Sequence, residues 1–253
     1  MTFARIGRAK IGEGPKVVAT ISSPQKMANP VGIRQSGADI VELRLDFIAH
    51  WPEEKIVNLV KQAAVRCNLP LIATVRAARE GGARSDGAVS DERRRLALFK
   101  AVIPHVHAVD IELASPILGE VVSASRARGK SVIVSYHHFQ STPALTRLRA
   151  LAQLCKAKGG DIVKIVTTTS TPVDMMRLMS LLNEQPCQPL AAFAMGRYAL
   201  LSRVMAFFFR SCLLYAHVPA GHSSSPAAPG QPCVEELRQA IRQFALAKKS
   251  PLK

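Results

Sequence analysis

The sequence predicts an α/β fold, a single (β/α)8 barrel over residues 1–253, from three observations. Eight short apolar runs rich in β-branched residues recur along the chain, and helix-compatible segments lie between them, an alternation typical of a parallel sheet. Eight strand–helix units in a chain of this length favour a closed barrel over a doubly wound open sheet. No Gly-x-Gly-x-x-Gly motif follows the first run, as a dinucleotide-binding sheet would require.

Each predicted strand is a short apolar run, and the eight runs cover residues 16–21, 39–45, 71–76, 107–113, 131–136, 161–166, 190–194 and 212–216. Among the predicted helices, several of which begin with Pro, Ser or Asp, are residues 53–66, 91–103, 143–158, 172–183 and 233–247. Residues 3–14 are predicted to form a short hairpin that closes the bottom of the barrel. Residues 221–231, rich in Ser, Pro, Ala and Gly, form the clearest loop.

The formal charge of +16 is the unusual bulk property of this chain. It is compatible with nucleic-acid binding, with attraction of anionic substrates, or with an arginine-rich surface alone. The basic residues are spread along the chain in short groups, and only three Tyr and one Trp are available for base stacking. A nucleic-acid partner is therefore not expected.

The cysteines and the apolar segments bear on the cellular compartment. The five cysteines are scattered and form no Cys-x-x-Cys pair, so we expect reduced, mostly buried thiols. The N-terminus lacks the apolar run of a secretory signal, and no segment approaches the roughly 18 to 20 apolar residues of a membrane span. These features predict a soluble, cytoplasmic protein.

Charged residues occur where a barrel strand should be apolar. Alternation places Glu42, Arg44 and Asp46 on one face of their strand, and in a barrel the other, apolar face must meet the outer helices. The three charges would then point inward, near the end of the strand where active sites of this fold lie. A half-exposed antiparallel strand and a structural cluster of ion pairs are the alternatives. The same pattern recurs at Arg76, Asp110 and Glu112.

Lys164 is the most informative single residue, because it lies within an apolar β-branched run, Ile162 to Val166. Burial disfavours an ammonium and lowers its pKa, which makes the neutral amine available as a nucleophile toward a ketone. The alternative is a lysine on an edge strand whose amine reaches solvent.

His137 and His138 follow another predicted strand, at the end where a barrel presents catalytic groups. A histidine there can exchange protons near neutral pH. A metal site is less favoured, because neighbouring residues on an extended chain point in opposite directions.

Seven short motifs occur along the chain in the order VELRLD, TVRAAREGG, VDIEL, SYHHF, DIVKI, MGRYALLSR and APGQ. In this order they resemble the type I 3-dehydroquinate dehydratases, from about Lys16 to the C-terminal helix. The resemblance implies a shikimate-pathway enzyme that eliminates water from 3-dehydroquinate to form 3-dehydroshikimate, by syn elimination through a lysine Schiff base. It also implies a homodimer, and neither a metal nor an organic cofactor.

By this resemblance, Lys164 forms the imine with the substrate ketone. His137 acts as general base toward the neighbouring carbon and then as general acid toward the departing hydroxyl, while Glu80 orients and tunes His137. The resemblance also implies a set of substrate-binding residues, which are Glu42, Arg44 and Arg76 at the ring hydroxyls, Arg203 at the carboxylate, and Gln231 from the last loop. A solvated helix residue is the alternative interpretation of Arg203.

Three positions depart from the family pattern. Ala227 stands where the family has a serine that contacts the substrate, Ala199 replaces a usual glycine, and His138 replaces a common aspartate. Two alternative functions accompany the dehydratase hypothesis. One is another Schiff-base barrel lyase of the aldolase type, and the other is a catalytically weakened basic barrel that binds polyanions.

Overall fold

The computed structural model of the chain describes residues 4–83, 91–184, 189–219 and 228–247. Its strands are β1 (Ala4–Ile6), β2 (Ala9–Ile11), β3 (Lys16–Ile21), β4 (Ile40–Arg44), β5 (Leu71–Thr74), β6 (Ala108–Glu112), β7 (Ser131–His138), β8 (Ile162–Thr168), β9 (Leu190–Met195) and β10 (Leu213–His217). Its helices are α1 (Pro24–Ala28), α2 (Glu53–Arg66), α3 (Glu92–Val102), α4 (Leu118–Arg126), α5 (Leu145–Ala157), α6 (Pro172–Glu184), α7 (Ala199–Phe208) and α8 (Val234–Ala247). None of the helices in these ranges is long and apolar enough to cross a membrane.

The eight strands β3 to β10 form one parallel sheet in the order β10-β3-β4-β5-β6-β7-β8-β9. The backbone N–H of Cys212 donates to the carbonyl of Leu190 at 2.9 Å, and this bond brings the two ends of the sheet together. Helices alternate with the strands, as short parallel crossovers require. The predicted (β/α)8 barrel is thereby confirmed.

The two faces of each barrel strand have different partners, as the alternation in the sequence predicts. On β4, Val41 and Leu43 are fully buried in the core between the sheet and the helices, whereas Ile40 belongs to a separate apolar cluster inside the barrel. Glu42 shares the parity of Ile40 and therefore also points inward. An antiparallel, half-exposed strand is ruled out here, because β4 lies between β3 and β5 and is parallel to both.

The hairpin of β1 and β2 covers the N-terminal end of the barrel, as predicted. Ile6 and Ile11 are fully buried in one cluster with inward residues such as Ile133 near the strand starts. The hydroxyl of Ser131 donates to the carbonyl of Arg5 at 2.5 Å and links the hairpin to β7. The bottom is therefore sealed by apolar side chains, and the cavity lies at the other end.

Three predicted strands end earlier than the sequence pattern indicates, and the one predicted for residues 107–113 ends at Glu112. The strand predicted for residues 39–45 ends at Arg44, because the chain turns into a short 3-10 segment, Leu45–Ile48. Within that turn the Asp46 carboxylate accepts two hydrogen bonds from Arg44, at 2.9 and 2.8 Å. The strand predicted for residues 71–76 ends at Thr74. Asp46 therefore belongs to an ion pair at the strand end and not to the strand itself.

Arg95 of α3 ties a helix to the barrel interior through buried charges. Its side chain is fully buried and donates to Glu112 of β6 at 2.6 Å, to the Val75 carbonyl, and to Glu92 at 2.5 Å. Glu112 is also fully buried and accepts a second ion pair from Arg76 at 3.2 Å. Removal of one partner of such a pair leaves an uncompensated charge out of water.

We expect Arg95→Ala to lower the free energy of unfolding by about 3 to 5 kcal/mol, because Glu112 would lose a partner inside the protein. Urea denaturation followed by circular dichroism measures this loss. Arg93→Ala is the matched control, since Arg93 is exposed on the same helix and should change stability by less than about 0.5 kcal/mol. Equal effects of the two substitutions would contradict the buried-pair argument.

Candidate active site

One cavity of about 240 Å³ opens at the C-terminal ends of the barrel strands. Active sites of this fold lie at that end, where the ends of several strands converge. All eight residues proposed from the sequence line this cavity, namely Glu42, Arg44, Arg76, Glu80, His137, Lys164, Arg203 and Gln231. The barrel therefore gathers residues that are up to 189 positions apart in the chain.

Lys164 lies on the inner face of β8, which pairs with β7 on one side and β9 on the other. Its side chain is 5% exposed, and Nζ lies 2.8 Å from Oδ2 of Asp110. Burial lowers the pKa of this amine below its ordinary value, although the Asp110 carboxylate partly opposes that effect. Lys164 is therefore an inward residue, and the alternative of an edge-strand lysine that reaches solvent is wrong.

Asp110 of β6 connects the amine to the rest of the site. Its Oδ1 accepts from Arg76 at 2.7 Å and from the Ser135 hydroxyl at 2.7 Å, while Oδ2 accepts from Lys164. Burial alone would raise the pKa of this carboxyl, but the charges of Arg76 and Lys164 hold it below its usual range. Asp110 thus remains a carboxylate with a fixed orientation.

His137 and Glu80 form a second pair at the cavity wall, with 3.1 Å between Nδ1 and Oε2. Burial lowers the pKa of His137 well below its ordinary value, and the neighbouring cations Arg76 and Lys164 lower it further. Burial raises the pKa of Glu80 to about 7. When Glu80 is ionised it accepts the Nδ1 proton of a neutral His137, so Nε2 keeps its lone pair.

The position of Glu80 depends on the two glycines that follow it. Gly81 has a φ of 82°, and a Cβ at Gly82 would overlap the carbonyl oxygen of Arg76. The chain after β5 can therefore fold back only with glycine at these places. This close turn brings the Glu80 carboxylate from the segment after β5 to His137 of β7.

Hydroxyl groups hold the Glu42 carboxylate in the cavity wall. Thr20 donates to one carboxylate oxygen at 2.9 Å and Thr74 to the other at 2.7 Å. The Gln231 amide donates in turn to Thr20 at 3.2 Å, while Oε1 of Gln231 is buried and has no described partner. A Cβ at Gly230 would overlap the Gly196 carbonyl, so glycine is required where this loop meets the barrel. Gln231 thereby presents a free acceptor at the site.

Arg203 of α7 is 1% exposed, and its guanidinium reaches into the cavity wall. It donates to the carbonyls of Tyr215, Ala194 and Ala199 and lies 4.5 Å from the centroid of the Phe193 ring. Burial lowers its pKa to about 9, which still leaves it protonated at neutral pH. Among the described residues it has no carboxylate partner. The site therefore contains a buried cation whose charge is not neutralised.

Comparison with known proteins relates this arrangement to one enzyme family. The family model of the type I 3-dehydroquinases matches residues 17–248. The chain belongs to the type I 3-dehydroquinase family. A 3-dehydroquinate dehydratase of Dehalococcoides mccartyi is 32% identical over 83% of this chain and 87% of its own length, and one of Methanosarcina mazei is 30% identical over 96% and 100%. A type I 3-dehydroquinate dehydratase from Clostridium difficile, known from its crystal structure, is 22% identical to this chain. The two structures superpose with a TM-score of 0.84 over 97% of this chain and 98% of the other, which shows that they share the fold.

Within this 3-dehydroquinase barrel, the interpretation of Arg203 as a solvated helix residue is wrong, because α7 directs it inward. The alternative of a structural ion-pair cluster describes only part of the inward charges. It fits Asp46, which is fully buried and pairs with Arg44, and it fits Glu112 with its two arginines. Arg44, Arg76 and Lys164, by contrast, also line the cavity.

Three further residues bear on the chemistry of the site but were not proposed as site residues from the sequence. Asp110 was predicted to point inward, but its contact with Lys164 depends on the register of β6, β7 and β8. Thr20 is a polar residue near the end of β3, after three apolar residues, which was a usable signal. Tyr215 gave no such signal, because an aromatic residue in a strand is ordinary.

The departures from the 3-dehydroquinase pattern lie in different places. Ala199 is buried at the start of α7, and its carbonyl accepts from Arg203. His138 points away from His137, and its Nδ1 lies 2.8 Å from the Ser141 carbonyl. Ala227 lies outside the described residues. Four cysteines are free thiols, two of them buried, and Cys187 also lies outside the described ranges.

We expect Glu80→Gln to change how stability depends on pH. The folded-state pKa of Glu80, about 7, lies above the ordinary value of 4.5. Its protonation therefore stabilises the fold fully below about pH 4.5, and this contribution is lost as the pH rises through 7. The glutamine of Glu80→Gln is neutral at every pH and does not suffer this loss. The free energy of unfolding of Glu80→Gln minus that of wild type should therefore increase by roughly 1 to 3 kcal/mol from pH 5 to pH 8.

Denaturation of both proteins at pH 5 and pH 8 measures this difference. Glu54→Gln is the control, because Glu54 is exposed and the substitution should follow wild type at both pH values. A difference between Glu80→Gln and wild type that stays constant from pH 5 to pH 8 would rule out the raised pKa.

Proposed function

We propose that this chain eliminates water from 3-dehydroquinate to give 3-dehydroshikimate, through a Schiff base on Lys164. Family membership supports the reaction, and one observation carries the choice of residue. Lys164 is a buried amine with a lowered pKa in the same cavity as the neutral imidazole of His137. A neutral amine can attack a ketone, and a neutral imidazole can accept a proton.

In the proposed first step, the Lys164 amine adds to the substrate ketone and water is lost, which forms an imine. Protonation of the imine nitrogen makes it an electron sink and acidifies the adjacent carbon. The Asp110 carboxylate, 2.8 Å from Nζ, is suited to stabilise this positive charge. Hydrolysis of the imine after elimination returns the free amine.

In the proposed elimination, Nε2 of His137 removes the proton from the carbon next to the imine. The same nitrogen then gives a proton to the departing hydroxyl on the same face of the ring, as a syn elimination requires. Glu80 supports both tasks, since its bond to Nδ1 orients the ring and its carboxylate stabilises the imidazolium that forms transiently. Neither step involves a metal or an organic cofactor.

Arg203 is the proposed partner of the substrate carboxylate. It is the buried cavity cation that lacks an acidic partner among the described residues, and a guanidinium matches a carboxylate in geometry and charge. Glu42, Arg44, Arg76 and Gln231 are proposed to bind the ring hydroxyls. The free acceptor of Gln231 and the carboxylate of Glu42 suit hydroxyl donors in particular.

Three further features remain proposals about the protein as a whole. We propose that the chain acts as one catalytic domain, that it forms a homodimer, and that it works in the cytoplasm. The first is supported by the barrel, whose strands span most of the chain. The other two rest on family resemblance and on the sequence.

We expect Lys164→Ala to abolish dehydration and covalent trapping, because no other described amine takes its place beside Asp110. The assay follows absorbance of the conjugated enone product, and borohydride with 3-dehydroquinate followed by peptide mass spectrometry locates the adduct. Lys156→Ala, which removes an exposed lysine, is the control and should retain both signals. An adduct that survives Lys164→Ala would refute the assignment.

The same trapping experiment separates the alternative functions. With other candidate ketones in place of 3-dehydroquinate, an adduct on Lys164 that 3-dehydroquinate does not give would favour another Schiff-base lyase. Absence of both, with salt-dependent retention on nucleic acid, would favour the weakened polyanion-binding barrel.

We expect His137→Ala to reduce the elimination rate by about 10²-fold or more while borohydride still traps the imine, because imine formation and proton transfer are separate tasks. His138→Ala is the matched control, since its ring points away from His137 and contacts Ser141. Its effect should be much smaller. A larger loss in His138→Ala than in His137→Ala would reverse the choice between the two histidines.

A further inference from the structure

The ring of Tyr215 lies against the amine of Lys164 inside the barrel. Tyr215 is on β10, it is 3% exposed, and its ring contributes to the cavity wall. Nζ of Lys164 lies 4.0 Å from the ring centroid. Nζ therefore contacts the Asp110 carboxylate, at 2.8 Å, as well as the aromatic face.

An aromatic face attracts a cation most strongly where water is excluded. Both Lys164 and Tyr215 are buried, so water is largely excluded from this contact. The Asp110 carboxylate is shared with Arg76 and Ser135, whereas the Tyr215 ring has Lys164 as its described cation. The ring therefore acts on this one nitrogen.

We propose that Tyr215 is a positioning residue whose ring face stabilises positive charge on Nζ of Lys164, both in the resting ammonium and in the protonated imine. The second half of this inference rests on the proposed function. The ring acts through Lys164 and performs no proton transfer of its own. It opposes the effect of burial on the amine, so it favours the charged forms of this nitrogen, the ammonium before attack and the protonated imine during elimination.

The hydroxyl of Tyr215 is not part of this role. Oη is buried and has no hydrogen-bond partner among the described residues, and burial raises the pKa of the phenol well above its ordinary value. An unpaired buried hydroxyl is unfavourable. Phenylalanine would keep the ring face and remove this unpaired group.

Other charges also act on the Lys164 nitrogen and remain unchanged in the test. These groups are Asp110 on β6, Glu42 on β4, Arg76 after β5 and His137 on β7. Because the comparison varies only the ring, their contributions are common to all variants.

The test compares Tyr215→Leu with the conservative Tyr215→Phe in the full chain. The pKa of Lys164 is measured without substrate, from the pH dependence of its acetylation by acetic anhydride, quantified by peptide mass spectrometry. Tyr215→Leu should lower this pKa by about one unit, and Tyr215→Phe should leave it within about 0.3 unit. In the enone assay, Tyr215→Leu should lower kcat by about tenfold or more with a KM change below about threefold, and Tyr215→Phe should keep kcat within about threefold.

Phe99→Leu is the packing control, because Phe99 is a fully buried aromatic residue of α3 outside the cavity. It should lower stability without moving the Lys164 pKa. An unchanged pKa in Tyr215→Leu, or equal losses in the Leu and Phe variants, would overturn the inference. The wild-type protein could fail to dehydrate 3-dehydroquinate while Tyr215→Leu still lowers the pKa of Lys164. That result would refute the proposed function and would leave the stabilisation of the ammonium by the ring supported.

Discussion

The guanidinium of Arg76 donates to Asp110, Glu112 and Ser135 from just beyond the end of β5. Glu112 also holds Arg95 of α3, and Asp110 also holds Lys164. One cation thereby joins a structural ion pair, which fastens a helix to the barrel, to the pair that orients the amine in the cavity. Since all of these groups are buried, each depends on the others for compensation of its charge. The stability of the barrel and the geometry of its site are consequently linked.

This network also sets the protonation states on which the chemistry depends. Burial lowers the pKa of both His137 and Lys164, and the positive charge of Arg76 lowers each of them further. Burial and the same cation thus both disfavour the charged forms of the base and of the nucleophile. Glu80 is shifted in the opposite direction, because burial disfavours its carboxylate. Burial therefore disfavours the charged form of the amine, of the imidazole and of the Glu80 carboxylate alike, which suits a site that must both accept and return protons.

The cavity has two chemically different sides. Around Lys164 and His137 the charges are matched by neighbouring carboxylates, whereas Arg203 lies among backbone carbonyls and an aromatic ring without an acidic partner among the described residues. A bound anion would complete the second side and leave the first unaltered. On the proposed function, this one cation without a described acidic partner is the group that would bind the carboxylate of the substrate. The total charge of +16 does not by itself require that site.

The sequence alone determined the barrel and the inward direction of its charged residues, because alternation along a strand is a local property and the apolar face must meet the helices. It also identified Lys164, whose apolar neighbours in the chain are visible without any fold. Family resemblance implied that Glu80 acts on His137, but only the tertiary structure showed the contact between them, the contact of Asp110 with Lys164, and the Tyr215 ring under the same amine. These contacts join residues 51 to 57 positions apart in the chain. They depend on strand register, on the tight turn at Gly81 and Gly82, and on side-chain directions inside a closed barrel, none of which a local pattern of residues specifies.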